Sequence, residues 1–215
     1  RSPLARLNVA VGLVRQRTGP DVSDTLDRIE HEAQRLNDLI GQLLTLTRLE
    51  GDAKAKQETE IDLAALLLDV VADARFEAQN CNRKVHLGAC VQCLTAGTPE
   101  LLRSAIENVV RNGLRYTPEE SHIEISLQRE QTTDGPQAVI RVRDHGPGVP
   151  EDAIHQIFRP FYRVGDDRDR QTGGIGLGLA IAQQAVRLHG GTITAANASD
   201  GGLIVEIHLP CRTDQ

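Results

Sequence analysis

The stretch from Asp144 to Leu179 holds the residues best suited to chemistry. It reads Asp-His-Gly-Pro-Gly-Val at 144–149, Phe-Arg-Pro-Phe-Tyr-Arg at 158–163 and Gly-Gly-Ile-Gly-Leu-Gly-Leu at 173–179. Glycine is needed where backbone takes positive φ or lies against a ligand. The second glycine cluster runs straight into an apolar, helix-like segment, Leu177 to Leu188. Backbone N–H groups at a glycine-rich helix start form a ready anion site. The stretch therefore reads as a mobile lid between two loops that contact phosphate or base. A plain flexible loop with glycine hinges is the alternative. Upstream, Asn108, Asn112 and Arg115 fall at i, i+4 and i+7, so they share one helix face. With Arg115-Tyr116 at the helix exit they make a convergent polar face; a solvated stripe is the alternative.

Two familiar glycine fingerprints are excluded. A P-loop requires Lys after its last glycine, and Leu179 follows Gly178. A dinucleotide fold requires a glycine at the sixth position of its motif. Counting from Gly174 or Gly176, that position holds Leu179 or Ile181.

The elements that position these groups follow from periodicity. Leu4, Leu7, Val11 and Val14, then Leu26, Ile29, Ala33, Leu36, Ile40 and Leu43, form a heptad seam broken at Thr18-Gly-Pro-Asp21. This predicts a helical hairpin over 1–50, whose narrow stripe is buried by pairing with a second copy as a four-helix bundle. Packing on the chain's own second domain is the alternative. Residues 51–59 are polar and read as a linker, and 60–215 as a second domain. Glu60–Leu63 reads as a short strand or helix lead-in, and Ala64–Gln79 as a helix. Lys84–Ala89 and Cys93–Gly97 read as strands. Thr98-Pro99 opens a helix that runs to about Tyr116. Ser121–Gln128, then Ala138, Ile140 and Val142, alternate as strands, the second delivering Asp144 at its end. Thr192–Ala196 and Leu203–Leu209 are the last two strands, joined at Asp200-Gly-Gly202. Helices on one face of a mixed, mostly antiparallel sheet make an α/β sandwich, so the fold class is α+β. The lid, roughly residues 150–172, is polar and has little to bury.

Composition narrows the function. Net charge is −6, with no basic run, which argues against nucleic acid as a direct partner. Aromatics are 2% of residues, and Met and Trp are absent, so the core must be aliphatic. No apolar run approaches the roughly 18 residues of a membrane span. The four cysteines hold one Cys-x-x-Cys, Cys90 to Cys93, without a second pair, and read as free thiols in a reducing cytosol. The seven histidines show no metal-ligand spacing. The opening Arg-Ser-Pro-Leu, without Met, is expected of a piece of a longer protein.

At this point the residues resemble a known family, the sensor histidine kinases of two-component systems, over essentially the whole chain. Glu107 to Tyr116 is similar to the N box and Asp144 to Val149 to the G1 box. Phe158-Arg-Pro-Phe161 is similar to the F box and Gly173 to Leu179 to the G2 box. Arg1-Ser-Pro-Leu4 is similar to the tail of the H box. The Phe-Arg-Pro-Phe-Tyr-Arg run, followed by Asp-Arg and the G2 glycines, is most like the Cpx envelope-stress sensor kinase group. The resemblance implies a Bergerat-type α/β sandwich with three main helices, preceded by half of a dimeric bundle. It implies binding of ATP with Mg²⁺, and transfer of the γ-phosphoryl group to a His and thence to an Asp of a response-regulator receiver domain. A homodimer through residues 1–50 is implied as well.

The implied residue roles are these. Asp144 accepts from the adenine amino group, an edge that a carboxylate, acceptor only, would select. Gly146 and Gly148 let the backbone approach the base beside Val149. Asn112 offers its amide oxygen to Mg²⁺, a hard cation. Arg115 neutralises phosphate charge, with Arg159 and Arg163 of the lid as helpers. Backbone near Gly174, Gly176, Leu177, Gly178 and Leu179 meets the phosphates. Asn108, Tyr116, Phe158, Phe161 and Tyr162 complete the nucleotide set. Asn108 and Arg115 carry over as catalytic, and Ser2 as a phosphatase candidate that could equally be a solvated helix residue.

There are departures. Ile175 stands where many members have Thr or Ser. The phosphoacceptor His is placed before Arg1, and His31 lies outside any H-box context. The chain is thus expected to be a cytoplasmic piece of a protein held in the bacterial inner membrane through upstream segments. Two alternatives are a GHKL-type ATP hydrolase and a non-enzymatic nucleotide-binding dimerisation module. The hydrolases place a Glu general base where this chain has Asn108, and the adjacent Glu107 points about 100° round the helix.

Overall fold

The computed structural model describes residues 59–133, 135–164 and 176–212, together with Ile29, which is helical. The predicted hairpin with Ser2 and His31, nearly all of the linker, and Gly174 and Ile175 lie outside the described residues. The chain divides into two compact units, Arg1–Thr47 and Arg48–Gln215. In the second, the order is β1 (Thr59–Asp62), α1 (Leu63–Gln79), β2 (Lys84–Cys90), β3 (Leu94–Gly97), α2 (Pro99–Tyr116), β4 (His122–Thr132), β5 (Gly135–Arg143), a 3₁₀ turn (Glu151–Ala153), α3 (Gly178–Leu188), β6 (Thr192–Asn197) and β7 (Leu203–Pro210). Five strands form one mixed sheet in the order β2-β4-β5-β7-β6. Its β2–β4 pair is parallel and its other pairs are antiparallel. β1 and β3 make a separate two-stranded antiparallel sheet.

Alternation along the strands sends Ile123, Ile125, Leu127, Ala138, Ile140, Val142, Val205, Ile207 and Leu209 into one buried aliphatic layer. α2 lies over that layer, because Gly113 meets Ile123 and Val142. The apolar face of α2 is Leu102, Ile106, Val109 and Gly113, widened by Ala105, Val110 and Leu114. The four cysteines are free thiols. Among the described residues, no helix is long and apolar enough to cross a membrane.

Polar contacts set the helix ends. Asp62 caps α1, its Oδ1 accepting from Ala64 N–H at 2.9 Å and Ala65 N–H at 3.2 Å. Replacing Asp62 with Ala leaves these donors without their acceptor, so thermal denaturation should show a loss of about 1 kcal/mol. Thr98 takes the cap position of α2, but its hydroxyl makes no cap bond. Its N–H donates instead to His189 Nε2 at 3.0 Å, while His189 Nδ1 faces the Ala185 carbonyl at 2.6 Å. The acceptor role at Nε2 puts the proton on Nδ1. One imidazole thus fixes the end of α3 against the start of α2. On the outer side, Arg103 reaches Asp73 at 2.6 Å and Glu107 at 2.9 Å, and Arg111 reaches Glu77 at 3.0 Å, so α2 is latched to α1.

A candidate nucleotide site

The β5–β7 ladder runs one step past β5. Asp144 N–H donates to the Leu203 carbonyl at 2.9 Å, and Leu203 N–H donates back to Asp144 Oδ1 at 3.0 Å. Gly146 N–H donates to the same oxygen at 2.8 Å. Asp144 is buried, and among the described residues its Oδ2 accepts no hydrogen bond. Burial pushes the carboxyl above its ordinary value; the two backbone N–H groups, and then His145, counter that in part. The side chain is therefore held rigidly by one oxygen and offers the other as an acceptor. Gly146 lies against the Tyr116 carbonyl, and Gly148 takes φ +74°. Val149 is gripped by Asn197, whose Oδ1 accepts from Val149 N–H at 2.9 Å and whose Nδ2 donates to Val149 O at 2.6 Å. Asn197 is a loop-positioning residue that the sequence reading missed. A single Asn at the end of a strand carries no local signal of such a role.

The polar face of α2 meets the start of α3. Asn108 Nδ2 donates to the Ser104 carbonyl one turn back, at 2.8 Å. Its Oδ1 faces α3, where a Cβ on Gly178 would come within 2.8 Å of it. Glycine is required there by close approach, and Asn108 acts first as a spacer between the helices. Leu177 and Leu179 bury their side chains, so only their backbone can face a ligand. The first turn of α3 has no side-chain cap. Its N–H groups are left to water or an anion. Asn112 is half-buried, and among the described residues its side chain makes no hydrogen bond. Arg115 is held below its ordinary value, chiefly by burial and also by the nearby Arg163, with Tyr116 opposing. Two guanidiniums so placed favour an anion between them.

The lid differs from expectation in its first part. The 3₁₀ turn at Glu151–Ala153 continues in turns through Gln156, Ile157 and Arg159. Ala153 and Phe158 are buried, so this part does have something to bury. Two apolar side chains in a polar segment were enough to anchor it. Arg159 is exposed, Tyr162 and Arg163 are half-buried, and Phe161 is exposed with φ +65°. Phe161 N–H donates to the Gly176 carbonyl at 2.8 Å, joining the F-box and G2 segments.

These residues suit a purine nucleotide with a hard cation. They supply an open carboxylate oxygen, an uncapped helix start, two neighbouring guanidiniums and an amide that has no hydrogen-bond partner among the described residues. Thr117, buried at the exit of α2, adds a hydroxyl without a partner among the described residues. Glu107, by contrast, is held by Arg103 at 2.9 Å and lies 3.9 Å from Arg111, on the α1 side of the helix. It is committed to the latch.

A mixed sheet carrying such a site has a known family. The chain belongs to the histidine kinase-, DNA gyrase B- and HSP90-like ATPases, a family that matches residues 97–213. Residues 1–52 match the His Kinase A (phospho-acceptor) domain. Over 211 residues the chain is 41% identical to sensor histidine kinase CpxA of Escherichia coli (strain K12), covering 98% of this chain and 44% of that protein. It is 33% identical over 218 residues to sensor histidine kinase RppB of Synechocystis sp. (strain ATCC 27184 / PCC 6803 / Kazusa), covering 98% of this chain and 46% of that protein. The chain spans less than half the length of these relatives. Among solved structures, full-length ShkA in complex with AMPPNP aligns with TM-score 0.74 at 22% identity, over 98% of this chain and 44% of that one. Acinetobacter baumannii histidine kinase AdeS aligns with TM-score 0.69 at 18% identity, over 98% of this chain and 96% of that one. At these identities the two structures speak for the fold.

Proposed function

We propose that this chain is the kinase core of a sensor histidine kinase, in which residues 60–215 bind Mg·ATP and present its γ-phosphoryl group to a His on the dimerisation helix. The observation that carries this reading is the meeting of the Asn108–Asn112–Arg115 face with the uncapped start of α3, beside Asp144. The Asp144 Oδ2 accepts the adenine amino group. Asn112 holds the metal through its amide oxygen, and a bound Mg²⁺ supplies charge neutralisation at the phosphates. Arg115 and Arg163 take the remaining phosphate charge, and the N–H groups of the first α3 turn hold the phosphates in line. Phosphoryl transfer needs mainly position and neutralised charge, and these groups provide both. The partners are a second copy, through residues 1–50, and the receiver domain of a response regulator. The whole protein sits in the bacterial inner membrane. A hydrolase reading is disfavoured because Glu107 is tied into the α1–α2 latch and Asn108 cannot take a proton from water.

Incubation with γ-labelled ATP tests the reaction. In Mg²⁺, label should pass to a separately added helical hairpin that carries the H-box His. Release of free phosphate with no labelled hairpin would favour the hydrolase. The metal role has its own expected result. Asn112→Ala should weaken Mg·ATP by at least about tenfold, or roughly 1.4 kcal/mol. Nucleotide without Mg²⁺ should be affected much less. Equal loss of both in calorimetry would remove Asn112 from the metal.

A further inference from the structure

A second cluster of ligand-type side chains lies on the sheet face turned away from the helices. His122 opens β4, and Glu124, two residues on, points to the same face. Glu124 is registered with His86 on parallel β2 and with Arg143 on antiparallel β5. The residue that follows β5 by two positions is His145, so three neighbouring strands bring imidazoles and one carboxylate to one place. The His86 and His122 rings stack with centroids 4.3 Å apart, and the His122 and His145 rings lie 4.5 Å apart. Glu124 Oε1 sits 3.1 Å from His145 Nε2 and 3.7 Å from His122 Nε2. The ligand atoms of His122, Glu124 and His145 all lie within 4.8 Å of one another.

We propose that His122, Glu124 and His145 form a binding site for a borderline divalent transition cation, of which zinc is representative, separate from the magnesium at the nucleotide. Two imidazoles and a carboxylate suit such a cation, whereas magnesium asks for an oxygen shell. Ligand atoms around a tetrahedral zinc lie about 3.3 Å apart, given metal–ligand distances near 2.0–2.1 Å. The present spread closes by side-chain rotation on a half-exposed surface. Zinc requires neutral imidazoles, so its binding here competes with protons. Arg143 is the competing cation. Its Nη1 stands 3.9 Å from Glu124, beyond a hydrogen bond, while its Nη2 is taken by Asp200 at 2.6 Å. The stacked His86 ring backs His122 on the far side and limits its rotation. A bound ion would tie His145, and with it the turn from Asp144 to Gly146, to the edge of β4.

Calorimetric titration of the 215-residue chain with ZnCl₂, without magnesium or nucleotide, tests the site. Binding should be stoichiometric, and His122→Ala and Glu124→Gln should each weaken it at least about tenfold. Neither residue belongs to the nucleotide set, and Glu124→Gln keeps the side-chain shape on an exposed position, so a folding defect does not mask the result. Cys90→Ser should leave zinc affinity unchanged. Undiminished binding in both site variants, or loss of binding in Cys90→Ser, would overturn the proposal.

Discussion

Asp144→Asn should weaken adenine nucleotide by about 1–3 kcal/mol, roughly 5- to 150-fold. The variant is informative because Asn preserves what the fold needs. Its Oδ1 can still accept from Gly146 and Leu203 N–H, which now bond at 2.8 and 3.0 Å. What changes is the second position, where an NH₂ replaces an open oxygen. A donor there faces the donor amino group of adenine. Asp144→Ala would be a poorer experiment, since it leaves two backbone donors without acceptors in a buried place. The sign of the pH dependence follows from the same geometry. Burial raises the carboxyl above its ordinary value, so it gains a proton at a higher pH than a free Asp would. Adenine needs the ionised form, so affinity should fall as pH drops through the acid range, and Asp144→Asn should remove that dependence. Fluorescence titration with an adenine nucleotide across pH checks both. Normal binding by Asp144→Asn would place the base elsewhere.

Gly202→Ala should be the most destabilising single methyl group in the domain. Gly202 has φ +90°, and a Cβ there would drive into the backbone carbonyl of Asp144. Left-handed strain costs about 1–2 kcal/mol. Overpacking against an unyielding neighbour adds about 1–3 kcal/mol. The sum, about 2–5 kcal/mol, is a large part of the roughly 5–15 kcal/mol that holds a domain folded. Gly135→Ala is the control. Gly135 has φ +115°, but its Cβ would meet nothing within 4 Å, so it carries strain without collision. Urea denaturation of both variants separates the two terms. If Gly202→Ala costs no more than Gly135→Ala, the close approach to Asp144 is wrong. Where it does cost more, nucleotide affinity should fall too, because the displaced carbonyl belongs to Asp144, the residue proposed above to recognise the base.

The sequence was most legible where one segment carries its own signal. α2 shows its apolar period, its Thr98-Pro99 opening and its polar face within a single run, and the structure has all three. β5 and β7 alternate cleanly, and β5 delivers Asp144 at its end as expected. Direction was not legible. Alternation in β2 and β4 is the same whether they run parallel or antiparallel, so the parallel pair came only from the fold. β1 is four residues long, too short for a pattern, and its pairing with β3 leaves no trace in either segment. The side chains that finish the site were hidden for a related reason. The grip of Asn197 on Val149, and of His189 on Thr98, depends on residues far apart in sequence. Neither donor nor acceptor shows its partner locally. His122 and Glu124 of β4 show no partner along the chain because His145, which completes the cluster, follows β5 and reaches them only through the β4–β5 pairing.

The bond from Phe161 N–H to the Gly176 carbonyl has a consequence for chain length. It clasps the two stems of the intervening segment at its base. Once the stems are joined, the entropy of closing the segment grows only with the logarithm of its length. Each doubling costs about 0.6 kcal/mol. The turn at Gly176 and the aromatic at Phe161 therefore keep their places whatever number of residues runs between them. Length there is open to change by insertion, at small cost, while Asp144 and the start of α3 stay where the sheet and the helix hold them.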